Sequence, residues 1–274
     1  MKAIVSAKSS APCLSMVQLN PEGAITTFGQ LGSERAVSSL ACAIPTYLGD
    51  PWNTIELVWV HPQSHIGEHL QAVDEISYVL RGSGLLTLNG ITRSVFAGSL
   101  VIAPRGTRHN LFNPSSGESL ICFVIELKVP DGCSSLHSPT VLPALPYQMQ
   151  AAETFLPLQV GQRLVKPRIS LVDLARYFSA PWGPLSLVEI PAGGYTTEAS
   201  TEEEKLRLSR RRKHFDENIL VVRGSATVEV ASERFATDEY GLNIVIPRGM
   251  RYQLTNRSSI NPLIILSVLV CREG

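Results

Sequence analysis

Apolar and β-branched residues along this chain fall in short runs divided by clusters of Gly, Pro, Asn and Ser, the pattern of strands joined by tight turns. Thr54 to Val60 is the first clear strand. Val73 to Leu80 and Gly84 to Leu88 follow, bounded by Arg81-Gly82-Ser83 and Asn89-Gly90. Val101 to Ala103 is another, turned by Pro104-Arg105-Gly106, and His109 opens a further strand. Beyond the turn at Pro114 to Gly117, Leu120 to Leu127 is so nearly apolar throughout that burial on both faces is predicted. Successive side chains on a strand point to opposite faces. If the chain is extended here, His69, Gln71 and Glu75 share an inward face with Ser77 and Val79, and Tyr78 takes the other. The predicted fold class is all-β, and a small antiparallel barrel would bring His109 near the other three polar residues.

The pattern then occurs a second time. Tyr47-x-x-x-Pro51-Trp52 ahead of Ile55-Glu-Leu-Val58 returns as Tyr177-x-x-x-Pro181-Trp182 ahead of Leu185-Ser-Leu-Val188. Glu75 and Gly82 return as Glu217 and Gly224, and Gly98, Pro104, Gly106 and Asn113 as Gly241, Pro247, Gly249 and Asn256. The spacing widens by about a dozen residues between Val188 and Glu217, an insertion that holds Thr201-Glu-Glu-Glu-Lys-Leu-Arg-Leu-Ser-Arg-Arg-Arg-Lys213. Two related barrels are therefore expected, over 1–129 and 148–274. The linker between them, 130–147, carries Pro130, Pro139, Pro143 and Pro146 among Gly and Ser. Residues 1–46 read as N-terminal strands or an arm covering the first barrel.

Composition narrows the class. With 274 residues and 44% apolar content the chain has material for a sizeable core. Its 24 basic residues balance 24 acidic ones, which argues against nucleic acid or an anionic membrane surface as a partner. No run approaches the ~18 apolar residues of a spanning helix, and no apolar segment of signal-peptide length accompanies Lys2 and Lys8, so a soluble, cytoplasmic protein is expected. The five cysteines, Cys13, Cys42, Cys122, Cys133 and Cys271, are too scattered for a disulfide framework and form no C-x-x-C; most are expected to be buried thiols.

The candidate chemistry lies between residues 69 and 113. Two neutral imidazoles (His69, His109), one amide oxygen (Gln71) and one carboxylate (Glu75) suit a single divalent transition metal, Fe, Mn or Ni with Zn also possible, leaving positions open for water and substrate. The same stretch reads His69-x-Gln71, Glu75-(x)6-Gly82 and then Gly98-(x)5-Pro104-x-Gly106-(x)2-His109-(x)3-Asn113. This resembles the two signature motifs of the cupin superfamily, with Gln71 where the family usually has a second histidine in its first motif. The resemblance implies tandem cupin-type barrels (jelly rolls, or double-stranded β-helices), hence a bicupin, whose N-terminal barrel binds metal through His69, Gln71, Glu75 and His109. A bicupin already contains an internal pseudo-dimer, and a monomer or a homodimer is expected. In the second copy the positions matching His69, Gln71 and His109 hold Arg211, Lys213 and Tyr252. Permanently protonated side chains offer a metal no lone pair, so that barrel is expected to bind none.

The family spans many reactions, so the fold leaves the chemistry open. Three classes compete: a non-haem metal oxygenase or dioxygenase, the leading expectation; non-redox catalysis (isomerase, cyclase, lyase or aminohydrolase) with the ion as Lewis acid; and a binding or regulatory module. Each takes a small-molecule partner. Glu75 is either a fixed ligand or a catalytic general base that detaches from the metal. His65 reads as a ligand, a base or a solvent-facing loop residue. Arg105 and Arg108 could orient an acidic substrate or simply face water, and Trp59 is core or pocket wall. The 201–213 segment reads as a charge partner for Glu217, an anion site or a solvated charged loop.

Overall fold

The computed structural model describes residues 15–18, 37–41, 49–129, 138–143, 158–165, 168–179, 181–196, 214–230, 233–237 and 241–271. Most of these are in strands: β1 (Ser15–Gln18), β2 (Val37–Ala41), β3 (Trp52–Val60), β4 (His65–Leu70), β5 (Asp74–Arg81), β6 (Ser83–Leu88), β7 (Ile91–Phe96), β8 (Leu100–Ala103), β9 (Arg108–Phe112), β10 (Leu120–Leu127) and β11 (Thr140–Leu142) in the first half. The second half continues with β12 (Leu158–Val160), β13 (Arg163–Val165), β14 (Arg168–Asp173), β15 (Trp182–Ile190), β16 (Gly194–Thr196), β17 (Phe215–Arg223), β18 (Ala226–Val230), β19 (Glu233–Thr237), β20 (Leu242–Ile246), β21 (Tyr252–Asn256) and β22 (Leu263–Cys271). They form four antiparallel sheets, two in each of two compact units, the layout of tandem jelly-roll barrels. No helix among the described residues is long and apolar enough to cross a membrane.

In the first unit, one sheet runs β11-β8-β5-β10-β3-β2 and the other β4-β9-β6-β7. Its core gathers inward-facing residues of both sheets, among them Val58, Val79, Leu86, Val101, Leu111 and Val124. Trp59 and Tyr78 have the opposite strand parity from these and are buried as well, so the central strands are covered on both sides. The second unit repeats the plan in β1-β20-β17-β22-β15-β14 and β13-β12-β16-β21-β18-β19. The registers match position by position: Trp52 pairs with Leu127 as Trp182 does with Val270, and Glu75 with Ala103 as Glu217 does with Ile246.

The boundaries differ from the sequence expectation. The N-terminal segment was expected to serve the first barrel; of its two described strands β2 joins that barrel, on β3, whereas β1 pairs along β20 and so completes a sheet of the second unit. Within the expected linker, β11 pairs with β8 as an edge of the first barrel. Proline and serine mark a turn-rich stretch, yet three residues between such turns are enough to add a strand. The supposed loop before His69 is likewise strand β4, which alternates too little to be legible, having partly exposed residues on both faces. Tyr47 and the whole of 201–213, with Arg211 and Lys213, lie outside the described residues.

The motif glycines and asparagines are structural and common to both barrels. Gly82 sits at φ +83°, and a Cβ there would meet the Ser119 carbonyl at 2.9 Å; Gly224 sits at φ +102°, with the Pro262 carbonyl at 3.0 Å. Asn113 is fully buried, donates to the carbonyls of Val60 and Glu118 (2.8 Å each) and accepts from the Ser115 amide, so one side chain fastens the β9–β10 connection to β3. Asn256 does the same through Ile190, Asn261 and Ser258. Gly82→Ala is expected to lower unfolding free energy by about 1–3 kcal/mol, read from urea midpoints, because strain and a backbone clash add. Gly106→Ala, at φ +88° with open space around it, should lose only the strain.

Candidate metal and substrate site

β4 and β9 carry the two histidines as direct cross-strand neighbours, His69 opposite His109. The register slips between Ile66 and His69, a bulge that turns both side chains toward the barrel interior despite their odd spacing. The imidazoles meet edge to face, centroids 4.2 Å apart at 65°. His69 Nδ1 lies 2.9 Å from the Gly67 carbonyl. A carbonyl only accepts, so Nδ1 holds the proton and Nε2 keeps its lone pair, the tautomer that a metal-binding histidine needs.

Glu75 rises from β5 to face them, with Oε2 3.9 Å from His109 Nε2, and Ser77 donates to its other oxygen at 2.6 Å. Burial pushes the Glu75 carboxyl up to about 7; the Ser77 hydrogen bond opposes this, and the negative charges of Glu126 and Glu56 reinforce it. Burial also pushes His109 down to about 4, helped by His69. Its Nδ1 has no hydrogen-bond partner. Cys122, on the same wall, is pushed up to about 12 by burial and by Glu75, which makes it a small apolar lining residue rather than a nucleophile.

These side chains line one cavity between the two sheets of the first barrel. Ser77 and Val79 share the wall with Glu75, as strand parity requires, while Tyr78 and Trp59 do not reach it. Gln71 is absent from the wall as well. The parity argument assumed extended chain from 69 to 75, but β4 ends at Leu70 and the backbone bends before β5, held by Gln71 N–H to the Thr107 carbonyl and Gly106 N–H to the Gln71 carbonyl (2.8 Å each). The buried Gln71 amide instead donates to Glu126 at 3.0 Å. His65 is exposed on the outer face, beside Glu68 and Asn110. Arg108 pairs with Glu68 at 3.2 Å, with both side chains largely exposed, and neither Arg105 nor Arg108 reaches the cavity.

Sequence reasoning missed two cavity residues, Glu126 and Glu56. Glu126 is the one charge within the apolar run Leu120 to Leu127, and Glu56 interrupts Ile55 to Val60 in the same way. A carboxylate inside an otherwise buried strand is the signal that could have found both.

The donor chemistry fits a divalent cation. A neutral imidazole with a free Nε2, a second held neutral by burial and a buried carboxylate with no Lys or Arg among the described residues of its cavity wall all gain from one. As placed, among the described residues no three His, Cys, Asp or Glu side chains stand in a ligating arrangement, so they would have to close around an ion.

The second barrel closes its interior. Where Ser77, Val101, Ala103 and Cys122 line the first, the registers put Ile219, Ile244, Ile246 and Ile265, all buried in one apolar cluster. Glu217 survives, but Tyr252 donates to it at 3.0 Å from the position of His109 and Ser267 at 2.5 Å. Two hydroxyls there do what an ion would do in the first barrel, satisfying a buried carboxyl group.

Residues 56–126 match the family model of the cupin domain. No curated protein matches the chain. Among solved structures, the chain is similar to AerE from Microcystis aeruginosa, at 17% identity and TM-score 0.62 over 95% of this chain and 98% of that one. It is also similar to the protein Ylba from E. coli, at 12% and 0.63 over 95% and 92%, and to oxalate decarboxylase, at 14% and 0.57 over 87% and 74%. At such identities the likeness shows the fold alone. The class is therefore a β-barrel protein of two jelly rolls, one with a largely apolar cavity that carries a few polar groups and one with its matching positions filled by isoleucine. Within the first unit, residues 56–126 are those that match the cupin domain, and the chain as a whole shares the fold of these two-barrel structures.

Proposed function

We propose that the first barrel is the site of a metal-dependent enzyme, a non-haem oxygenase acting on a small, largely apolar molecule. The observation that carries this reading is the donor set left once Gln71 is tied to Glu126: His69, His109 and Glu75, two imidazoles and a carboxylate. That is the combination characteristic of non-haem iron oxygenases. When bound, such an ion would supply oxygen activation or, in the non-redox alternative, Lewis acidity. The chain's own residues supply the setting. Ser77 fixes one carboxylate oxygen of Glu75, Gly67 fixes the His69 tautomer, and Val58, Val79, Leu86 and Val101 form dry walls that hold an apolar body and keep bulk water out.

The test is anaerobic reconstitution of the metal-stripped chain with Fe(II), then admission of air with a panel of small molecules on an oxygen electrode. Uptake that needs one panel member and disappears in His69→Ala supports the oxygenase reading. Product formation that persists without oxygen assigns the site to the Lewis-acid class, and ligand affinity with no turnover under either condition makes it a binding module.

A further inference from the structure

Gln71 stands at a ligand position of the motif yet lies off the cavity wall, and the cause is a side chain far along the chain. Its backbone is fastened to the turn ahead of His109, through Gln71 N–H to the Thr107 carbonyl and Gly106 N–H to the Gln71 carbonyl, 2.8 Å each. The side chain is only 5% exposed, and its Nε2 donates to Glu126 Oε1 at 3.0 Å. A carboxylate only accepts, so the amide must present its NH2 group there. Glu126 is itself aimed, because Asn53 Nδ2 holds its second oxygen at 2.7 Å. It lines the cavity on β10 and faces Glu75 on the neighbouring β5, so the amide it holds is stationed at the margin of the donor set.

The relay from Asn53 through Glu126 to Gln71 is peculiar to the first barrel. Along the repeat Asn53 is matched by Gly183 and Gln71 by Lys213, and Leu269 faces Glu217 where Glu126 faces Glu75. A jelly roll of this chain therefore closes with leucine at that place, and packing does not call for the carboxylate. Setting one into the run Leu120 to Leu127 costs desolvation free energy, which the two amide hydrogen bonds offset. What the arrangement secures is the direction of Gln71.

We propose that Glu126 is a positioning residue for the metal site: it withholds Gln71, so that His69, Glu75 and His109 alone hold the ion and the place of a fourth protein donor stays open for substrate. The inference rests on the reading of the first barrel as a metal site and adds what keeps that site open. An amide offers an ion its oxygen, and a fourth side-chain donor would both tighten the ion and occupy a place that a small molecule needs. Glu126 prevents this by giving the amide a stronger partner, since a hydrogen bond to a charged acceptor is about twice as strong as a neutral one.

Co(II) titrated into the metal-stripped full chain against a chelating dye tests this, with the visible absorption of the bound ion as a second readout. Glu126→Leu copies Leu269 and removes the acceptor; Glu126→Gln removes the same charge but keeps an oxygen for the Gln71 amide. Comparing the two cancels the loss of charge. Glu126→Leu is expected to bind Co(II) about tenfold more tightly than Glu126→Gln, at the low end of what orienting residues are worth, and with altered d–d bands. Adding Gln71→Leu should erase both differences, whereas Gln71→Leu alone should leave native affinity and spectrum in place. Should Glu126→Leu not fold, Glu126→Met, similar in length to glutamate and likewise without a strong acceptor, takes its place. Equal affinity and spectrum in the two Glu126 variants, a gap that survives Gln71→Leu, or about tenfold weaker binding in Gln71→Leu alone would overturn the proposal. Native protein that takes up no Co(II), or keeps it in His109→Ala, refutes the metal reading and this inference with it. Uptake that is lost in His109→Ala but shows no dependence on Gln71 in either Glu126 variant refutes this inference alone.

Discussion

His109→Ala is expected to weaken divalent metal binding by about a hundredfold or more, since even residues that merely orient a ligand commonly cost tenfold to a hundredfold when removed. The imidazole faces Glu75 across 3.9 Å and His69 across the strand pair, so its removal takes away the donor that links the other two. Neither remaining side chain can replace it. Gln71 is held off the wall by Glu126, and Cys122 stays a protonated thiol well above neutrality. Tyr252→Phe, at the matching place in the second barrel, should leave the metal stoichiometry unchanged. Elemental analysis and competition with a chelating dye give both numbers. A full equivalent of tightly held metal in His109→Ala, or its loss in Tyr252→Phe, would mean that the wrong barrel has been assigned.

Glu75→Gln should make the metal-stripped protein more stable at high pH and leave it nearly unchanged at low pH. The folded carboxyl titrates at about 7 against an ordinary value of 4.5, so the folded state favours the protonated form. That contribution is fully present below pH 4.5 and is lost as pH rises through 7, because the unfolded chain ionises freely while the barrel must hold a buried anion. Glutamine keeps the shape and an acceptor for Ser77 but carries no charge. At pH 8 the gain in unfolding free energy should approach about 3 kcal/mol, shrinking toward zero near pH 4.5. His109 works in the opposite direction, since its folded value near 4 costs stability as pH falls below 6.5. The difference between the two proteins isolates Glu75. Denaturant melts at both pH values measure it, and a gain of equal size at each pH would show that charge burial is not its source. Excess Mn(II) should reverse the ranking, because the native carboxylate then acquires a counter-charge.

Much of this architecture was legible because the local rules agreed with one another. β10 occupies the residues that its apolar run predicted, and the second barrel follows its repeat register by register. His69, Glu75 and His109 converge because alternation and a bulge deliver them to one wall. Gln71 shows the limit of that logic. Parity holds only while backbone is extended, and the bend before β5 belongs to contacts with the Pro104–Thr107 turn that lie far along the chain. The filling of the second barrel was equally hidden. Isoleucines at 219, 244, 246 and 265 are ordinary strand residues until the register sets them where serine, valine, alanine and cysteine stand in the first. Glu126 went unread for a similar reason, since one carboxylate in an apolar run gains meaning only when a cavity opens beside it.

The pairing of β1 with β20 bears on any attempt to dissect the gene. Ser15 to Gln18 precede the whole first barrel in the polypeptide, yet they hydrogen-bond along the outer margin of a sheet built from the far end. A ribosome must therefore finish nearly everything before the opening residues find their seat. A fragment starting after the proline-rich stretch would leave β20 bare, an invitation to self-association through unsatisfied amides. Cloning the halves as separate products should accordingly give a clumping C-terminal piece, curable by adding the first eighteen or so residues in trans.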